Sequence, residues 1–444
     1  MNSERSHQEF DQRRQALAEK MEADSCAVLP GRVHTGAFDI FRQNNEFYYL
    51  CGVAVSQAYL VVEGKNGTTT IYLPGRDEKM ERSEGVSLNC ESVLEVQNET
   101  GISTVRSYHD LASDLSSRTV IYCPQVPGEG RQVCRDTSQH GRKVNLEDPW
   151  DGEASREEQF MAKMTAALPD AVFKDVVPLL DELRGCKSRH EIELMRIAGK
   201  LSAKAVTEAM RCTVPGCWEY QLAAVAEYVF RVNGADGGAY RPIVAGGANI
   251  WNAHYYRNHC QLVEGDLVLM DYAPDYQYYT SDIGRIWPVN GKYSPQQREL
   301  YGYIVNYHKT LLGLIRPGVM AEDVENEAAE IMRPIVEQTA WSQDSFRKGA
   351  EATLEFRGHL SHGVGMAVHD VWNYRQEPLK PGVVLALDPQ MWIQEQEIYI
   401  RVEDTVVVTE DGVENLTADA PLELDHVESV IQEHGMLQKF PPIV

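Results

Sequence analysis

Cysteine pairs, basic charge and long apolar runs are all scarce in these 444 residues. The cysteines number nine, an odd count with no Cys-x-x-Cys pair, which argues against a disulfide framework or a zinc ribbon and points to reduced thiols in a cytoplasm. Lys and Arg total 42 against 66 Asp and Glu, a formal net charge of −24. A nucleic-acid backbone or an anionic membrane surface would be repelled by such a chain. Nowhere do about eighteen apolar residues run together, and the N-terminal stretch MNSERSHQEFDQRRQALAEKM lacks the apolar core of a signal peptide. The expectation is a soluble cytoplasmic protein that binds neither nucleic acid nor membrane, with metals, cations and small peptides left as ligands.

Apolar residues make up 43%, which excludes disorder, collagen and coiled coil. At one domain per roughly 150 residues, the length implies two or three domains. Residues 1–175 alternate helical stretches with short β-like runs (CAVLPG, EFYYLCG, AYLVVEG, TTTIYLPG, TVIYCP), as an α/β domain does. Phe10, Leu17 and Met21 share one helical face, and residues 124–156 read as polar loop. A second domain is expected over 176–444. Its first long helix opens at Ser188, where Ser188-Arg189-His190-Glu191 fits a capping box and Ile192, Met195, Leu201, Ala205 and Met210 follow at helical spacing. Another helix is expected from Glu219 to Val232, closed by Asn233-Gly234.

Chemistry concentrates where acids terminate apolar strands. Leu267-Val268-Leu269-Met270 ends in Asp271, and Ser281-Asp282 opens the run Ile283 to Val289. Val383 to Leu387 runs into Asp388, and Ile398 to Val402 runs into Glu403-Asp404. A carboxylate against apolar neighbours is costly unless paired, hydrogen-bonded or metal-bound; acids in turn-rich hairpins are the plainer alternative. Gly358-His359-Leu360-Ser361-His362-Gly363-Val364-Gly365 and Val368-His369-Asp370 add three histidines in a glycine-rich setting. Four carboxylates with a Gly-flanked imidazole form an oxygen-rich ligand set suited to Mn²⁺, Fe²⁺, Co²⁺ or Zn²⁺, and large enough for two ions. Such a pair activates a water and polarises a carbonyl, which is the equipment of a hydrolase.

The ordered series Tyr240-Arg241-Pro242-Ile243-Val244-Ala245-Gly246-Gly247, His254-Tyr255, Gly265 to Tyr272, Ser281-Asp282-Ile283, Trp287 to Gly291, the His-Gly segment, Val368-His369-Asp370 and Arg401-Val402-Glu403-Asp404 resembles the creatinase/aminopeptidase P/prolidase family, aminopeptidase P above all. Upstream, Phe41 to Gly52 is similar to that family's smaller N-terminal domain, so the likeness runs from about residue 8 to 415. It implies an α/β (α+β) protein, a creatinase-like N-terminal domain followed by a pita-bread catalytic domain. It further implies a metallo-aminopeptidase acting on Xaa-Pro peptides and working as a homodimer or higher homo-oligomer. Two divalent ions are implied, manganese first, with zinc, cobalt or iron as alternatives. By the resemblance, Asp271, Asp282, His362, Asp388 and Glu403 match metal ligands. His254 and His369 match histidines that line the substrate site, Arg401 a substrate-site arginine, and Asp388 or Glu403 the group that manages the proton of the attacking water.

Two departures bear on these roles. The family's Glu-Pro-Gly is Asp388-Pro389-Gln390 here, one methylene shorter, and a family Tyr is replaced by Trp392, which could form part of an apolar wall for proline. The outer histidine's role does not transfer to His359, because the motif begins Gly358-His359. Plainer readings stand beside these: His254 as a core residue, Arg401 paired with Asp404, Trp392 as packing, and Tyr276, Tyr278 and Tyr279 as a hairpin turn. A prolidase-type dipeptidase, another amide hydrolase or lyase, and a weakly catalytic binding homologue remain as alternative functions.

Overall fold

The computed structural model describes residues 3–34, 40–371 and 374–442, which fall into two compact units, 1–184 and 185–444. The division leaves most of the helix Val177–Gly185 with the first unit, whereas the sequence places the boundary ahead of it.

Six strands build the first unit: β1 (Cys26–Pro30), β2 (Tyr59–Glu63), β3 (Thr69–Leu73), β4 (Thr104–Ser107), β5 (Val120–Cys123) and β6 (Val172–Asp175). They form one mixed sheet in the order β4-β3-β2-β1-β5-β6. Val28, Val61, Tyr72, Ile121, Phe160 and Met164 pack together as its core. Two segments depart from the sequence expectation. EFYYLCG is not a strand but lies within the helix Asn45–Cys51: Asn44 caps it by accepting from the Phe47 amide, and Gly52 closes it in the left-handed region. Arg13 and Arg14 of the helix Ser3–Lys20 donate to the carbonyls of Tyr49 and Leu50 at 3.0 and 2.9 Å, placing two cations at the helix's negative end. Within the stretch read as loop, Arg135–Glu147 is helical. None of its residues is buried, so it carries no apolar stripe for a sequence to display.

In the second unit lie β7 (Ile243–Gly246), β8 (Leu267–Asp271), β9 (Ile283–Pro288), β10 (Leu360–Gly363), β11 (Val384–Leu387), β12 (Gln390–Ile393), β13 (Ile398–Arg401), β14 (Glu403–Val408) and β15 (Val413–Asn415). The main sheet runs β10-β11-β14-β9-β8-β7, antiparallel throughout, with β15 also on β14; β12 and β13 form a separate hairpin. The helices at Arg189–Cys212 and Glu219–Val232 form at the expected places, the first with its Ser188–Glu191 capping box. Among the described residues no helix is long and apolar enough to cross a membrane, and all nine cysteines are free thiols.

Trp287 of β9 is wholly buried, and its indole N–H donates to Thr213 Oγ1 at 2.9 Å, tying the sheet to the end of the helix Arg189–Cys212. Thr213→Val keeps the shape and strands that donor. It is expected to cost about 1–3 kcal/mol, read as a lower thermal midpoint for the second unit with no change in metal stoichiometry; an unchanged midpoint would show that the indole finds another acceptor.

Candidate active site

Strand register assembles the carboxylates. Asp271 on β8 and Glu403 on β14 both pair with Gly284 of β9, one on each side. The three residues form a row across the sheet with side-chain positions on one face, and Asp282, two residues before Gly284, shares that face. Gly284 leaves the centre of the row open: a Cβ there would lie 3.0 Å from Arg401 Nε and from Glu403 Oε2. The strand period sends Asp404 to the opposite face. There it meets Arg285 at 2.7 Å, Thr417 at 2.5 Å and His308 at 2.9 Å.

On the open face, Asp282, His362 and Glu403 each offer a ligand atom, all within 4.8 Å of one another. His362 stands on β10, its Nδ1 3.1 Å from the Gly363 carbonyl oxygen. A carbonyl only accepts, so Nδ1 carries the proton and the lone pair is on Nε2, 3.4 Å from Asp282 Oδ2. Asp388 follows β11 and is buried, its backbone N–H donating to the His359 carbonyl at 2.7 Å; among the described residues its Oδ1 has no hydrogen-bond partner. Arg401, at the end of β13, donates to Asp271 and, at 2.7 Å, to Glu403, and lies 3.7 Å from Asp388 Oδ2. It does not pair with Asp404, which Arg285 and His308 already hold. The cluster thus carries a guanidinium among its acids. Burial, reinforced by neighbouring carboxylates, raises the pKa values of Asp282, Glu403 and Asp388 despite Arg401. An orphaned Asp388 oxygen, an imidazole lone pair and a row of carboxylates opened by a glycine fit divalent cations well.

The histidines form a chain beside this cluster. The His362 and His369 rings are 4.2 Å apart and those of His369 and His254 6.3 Å apart. His254 is exposed, so it is not a core residue. His359 is buried between Tyr307 and Phe356, with Nε2 2.9 Å from the Thr353 carbonyl oxygen, so it is structural. Trp392 is 40% exposed. It stacks on Tyr399, its register partner, and meets Trp251 edge-on. Tyr276 and Tyr279 bridge each other across a turn, as their spacing suggests.

Two further residues brace the site through long-range contacts that sequence spacing does not reveal, although Tyr240 heads one of the family-like motifs and Glu219 opens an expected helix. The Tyr240 hydroxyl is 2.7 Å from Asp271 Oδ1 and 2.8 Å from Asp282 Oδ1, so it holds two carboxylates from outside. Glu219 is buried at the start of its helix and accepts from the amides of Gly246 and Cys260, from Asn249 and from the Tyr255 hydroxyl at 2.8–3.0 Å. It thereby fixes the segment that bears His254. Tyr240→Phe removes the shared hydroxyl and should weaken metal binding by on the order of 10-fold, measured by titration calorimetry of chelator-stripped protein; unchanged affinity would contradict that supporting role.

Raised carboxylate pKa values have a linked consequence in the metal-free protein. Folded Asp282 and Glu403 bind protons more tightly than the unfolded chain does. Their contribution to the stability of metal-free protein therefore falls as pH rises above the ordinary carboxylate range, and metal uptake, which needs them deprotonated, draws protons off. Calorimetry in two buffers of different ionisation enthalpy should register that release, and binding without proton release would refute the assignment.

Comparison with known proteins places the chain in a known family. Residues 193–410 match the model of metallopeptidase family M24, and residues 10–122 that of the aminopeptidase P N-terminal domain. The Xaa-Pro aminopeptidase of Escherichia coli K12 is 32% identical, with 97% of this chain and 98% of that protein covered. Intermediate cleaving peptidase 55 of Saccharomyces cerevisiae is 28% identical over 97% of this chain and 85% of its own. The zinc-substituted Escherichia coli aminopeptidase P in complex with product superposes with a TM-score of 0.80 at 30% identity, covering 96% of this chain and 98% of that one. The chain accordingly belongs to the aminopeptidase P family of M24 metallopeptidases, with the creatinase-like and pita-bread domains of that family, and is a metal-dependent aminopeptidase.

Proposed function

We propose that this protein removes the N-terminal residue from peptides whose second residue is proline, using two divalent ions, manganese first among them. The observation that carries this reading is the Asp282–His362–Glu403 cluster, with Asp271 and Asp388 beside it and the chain of histidines alongside. The relatives named Xaa-Pro aminopeptidase support the choice of peptide. Asp271, Asp282, His362, Asp388 and Glu403 would hold the ions, which supply Lewis acidity to a water and to the scissile carbonyl.

The remaining work falls to the chain itself. Asp388 is buried beside the cluster and, among the described residues, its Oδ1 has no hydrogen-bond partner, which suits it to take and return the proton of the attacking water; Glu403 shares that proton traffic. His254 and His369 donate hydrogen bonds to the carbonyl oxygen as it gains charge. Arg401 holds Asp271 and Glu403 in place and presents its charge toward substrate. Trp392, on its platform of Tyr399 and Trp251, forms an apolar wall for the pyrrolidine ring. The working form is a cytoplasmic homodimer, in keeping with the acidic chain and the prevalence of two-fold symmetry among soluble oligomers.

The shorter acid at 388 and the tryptophan at 392 favour one second reading, an aminopeptidase or dipeptidase of this family with a different preferred peptide. The test is to strip the protein with chelator, titrate Mn²⁺ by calorimetry and assay Xaa-Pro peptides beside Xaa-Pro dipeptides and peptides lacking proline. Two tight sites and selective cleavage of the longer Xaa-Pro peptides are expected; two sites with another preference would establish the second reading, and no tight site would overturn both. Asp388→Glu restores the missing methylene and should raise kcat by on the order of 10-fold if position 388 limits proton transfer. A variant no faster than the parent would show that the shorter side chain is no handicap.

A further inference from the structure

A buried ion pair lies outside the carboxylate cluster, where the sheet meets the loop bearing His369. Lys187 Nζ is 3.0 Å from Asp370 Oδ2, with the two side chains 2% and 1% exposed. Among the described residues no other acid lies within 4 Å of that ammonium. Lys187 is fixed at its backbone: its N–H donates to the Gly382 carbonyl, whose own N–H donates to Val408 at the end of β14. Asp370 ends a loop closed on itself, its N–H donating to the Gly363 carbonyl at 2.9 Å, while the Gly365 carbonyl accepts from Thr280, two residues before Asp282. The pair fills the space over Gly365, where a Cβ would lie 2.0 Å from Asp370 Oδ2 and 2.7 Å from Lys187 Cε. A side chain at 365 and the Lys187–Asp370 pair cannot coexist.

Burying two charges costs about what their attraction returns, so such a pair is a weak source of stability and a strong constraint on geometry. What it constrains is adjacent in sequence. His369 precedes Asp370, and its ring is 4.2 Å from that of His362. We infer that Lys187 is a positioning residue for peptide cleavage: through Asp370 it clamps the Gly363–Val371 loop so that the His369 imidazole faces the His362 side of the site. The inference rests on the reading of His369 as a substrate-site histidine.

Lys187→Met keeps the length and removes the charge, Asp370→Asn keeps the shape, and their combination leaves no unpaired buried charge if either single variant folds poorly. Each, assayed as manganese-loaded enzyme on an Xaa-Pro peptide, is expected to lose kcat by on the order of 10- to 100-fold with KM and Mn²⁺ stoichiometry little changed. The losses should not multiply in the double variant. In a His369→Ala background, Lys187→Met should cost almost nothing further. A second readout is independent of turnover: imidazole ¹⁵N shifts of His369 in the metal-free protein should move in Lys187→Met, while those of the structural His359 stay put. Full kcat in the folded double variant, an undiminished loss on top of His369→Ala, or unmoved His369 shifts would overturn the inference. If the parent cleaves no Xaa-Pro peptide, the substrate reading fails, and the shifts still decide whether Lys187 positions His369.

Discussion

Mutual repulsion among Asp271, Asp282, Asp388 and Glu403 is the constraint to which the rest of the second unit answers. All four are buried, and four charges brought so close together out of water would oppose folding unless cations or protons intervened. Both remedies are present: Arg401 reaches the cluster from β13, and burial raises the pKa values of Asp282, Asp388 and Glu403. Everything that touches the cluster then acts as a brace. The Tyr240 hydroxyl ties Asp271 to Asp282, while Thr405 Oγ1 accepts from the Asp282 amide at 2.5 Å and donates to the Asp282 carbonyl at 2.8 Å. Divalent ions would relieve the same repulsion more completely than one guanidinium does.

Glu403 and Asp404 show how little sequence distance separates opposite electrostatic fates. The two are neighbours on β14 and both are buried, yet the pKa of Glu403 is raised and that of Asp404 lowered. Burial pushes both upward. Asp404 overcomes it because Arg285, His308 and Thr417 converge on it and, among the described residues, no other carboxylate pairs with them, whereas Glu403 shares Arg401 with Asp271 and Asp388 and feels three other carboxylates. The compensated acid is a permanent anion that supports the strand from behind; the uncompensated one is available to a ligand. The strand period of two is the whole cause of the division.

That period also explains what could be read from the chain. Acids that end apolar runs, such as Asp271, Asp388 and Glu403, stand out locally because hydrophobic strands seldom carry them, and register does the rest. The aromatic stretch before Gly52 misleads because its local composition suits a strand, while Arg13 and Arg14, which cap the end of the helix it forms, lie more than thirty residues upstream. The helix Arg135–Glu147 is silent for the opposite reason: it buries nothing, so no periodicity marks it. Tyr240 and Glu219 escape because their functions are distances, not patterns. Tyr240 meets carboxylates 31 and 42 residues away, and Glu219 gathers donors 27 to 41 residues away.

The structure divides its labour between strands and loops. Asp271, His362 and Glu403 lie on strands, and Asp282 and Asp388 directly adjoin them, so hydrogen-bonded ladders fix the backbones of the proposed metal ligands. His254 and His369 ride on connections, where the ladder gives no such guarantee. Each connection is instead secured by a buried charge outside the site, Glu219 for the segment with His254 and Lys187, through Asp370, for the loop with His369. A loop anchored at one buried point can change its exposed residues without disturbing the ligands beneath it. On the proposed function, the same arrangement would let the metal platform stay constant while residues such as Trp392, half-exposed on its hairpin, alter which peptides approach it.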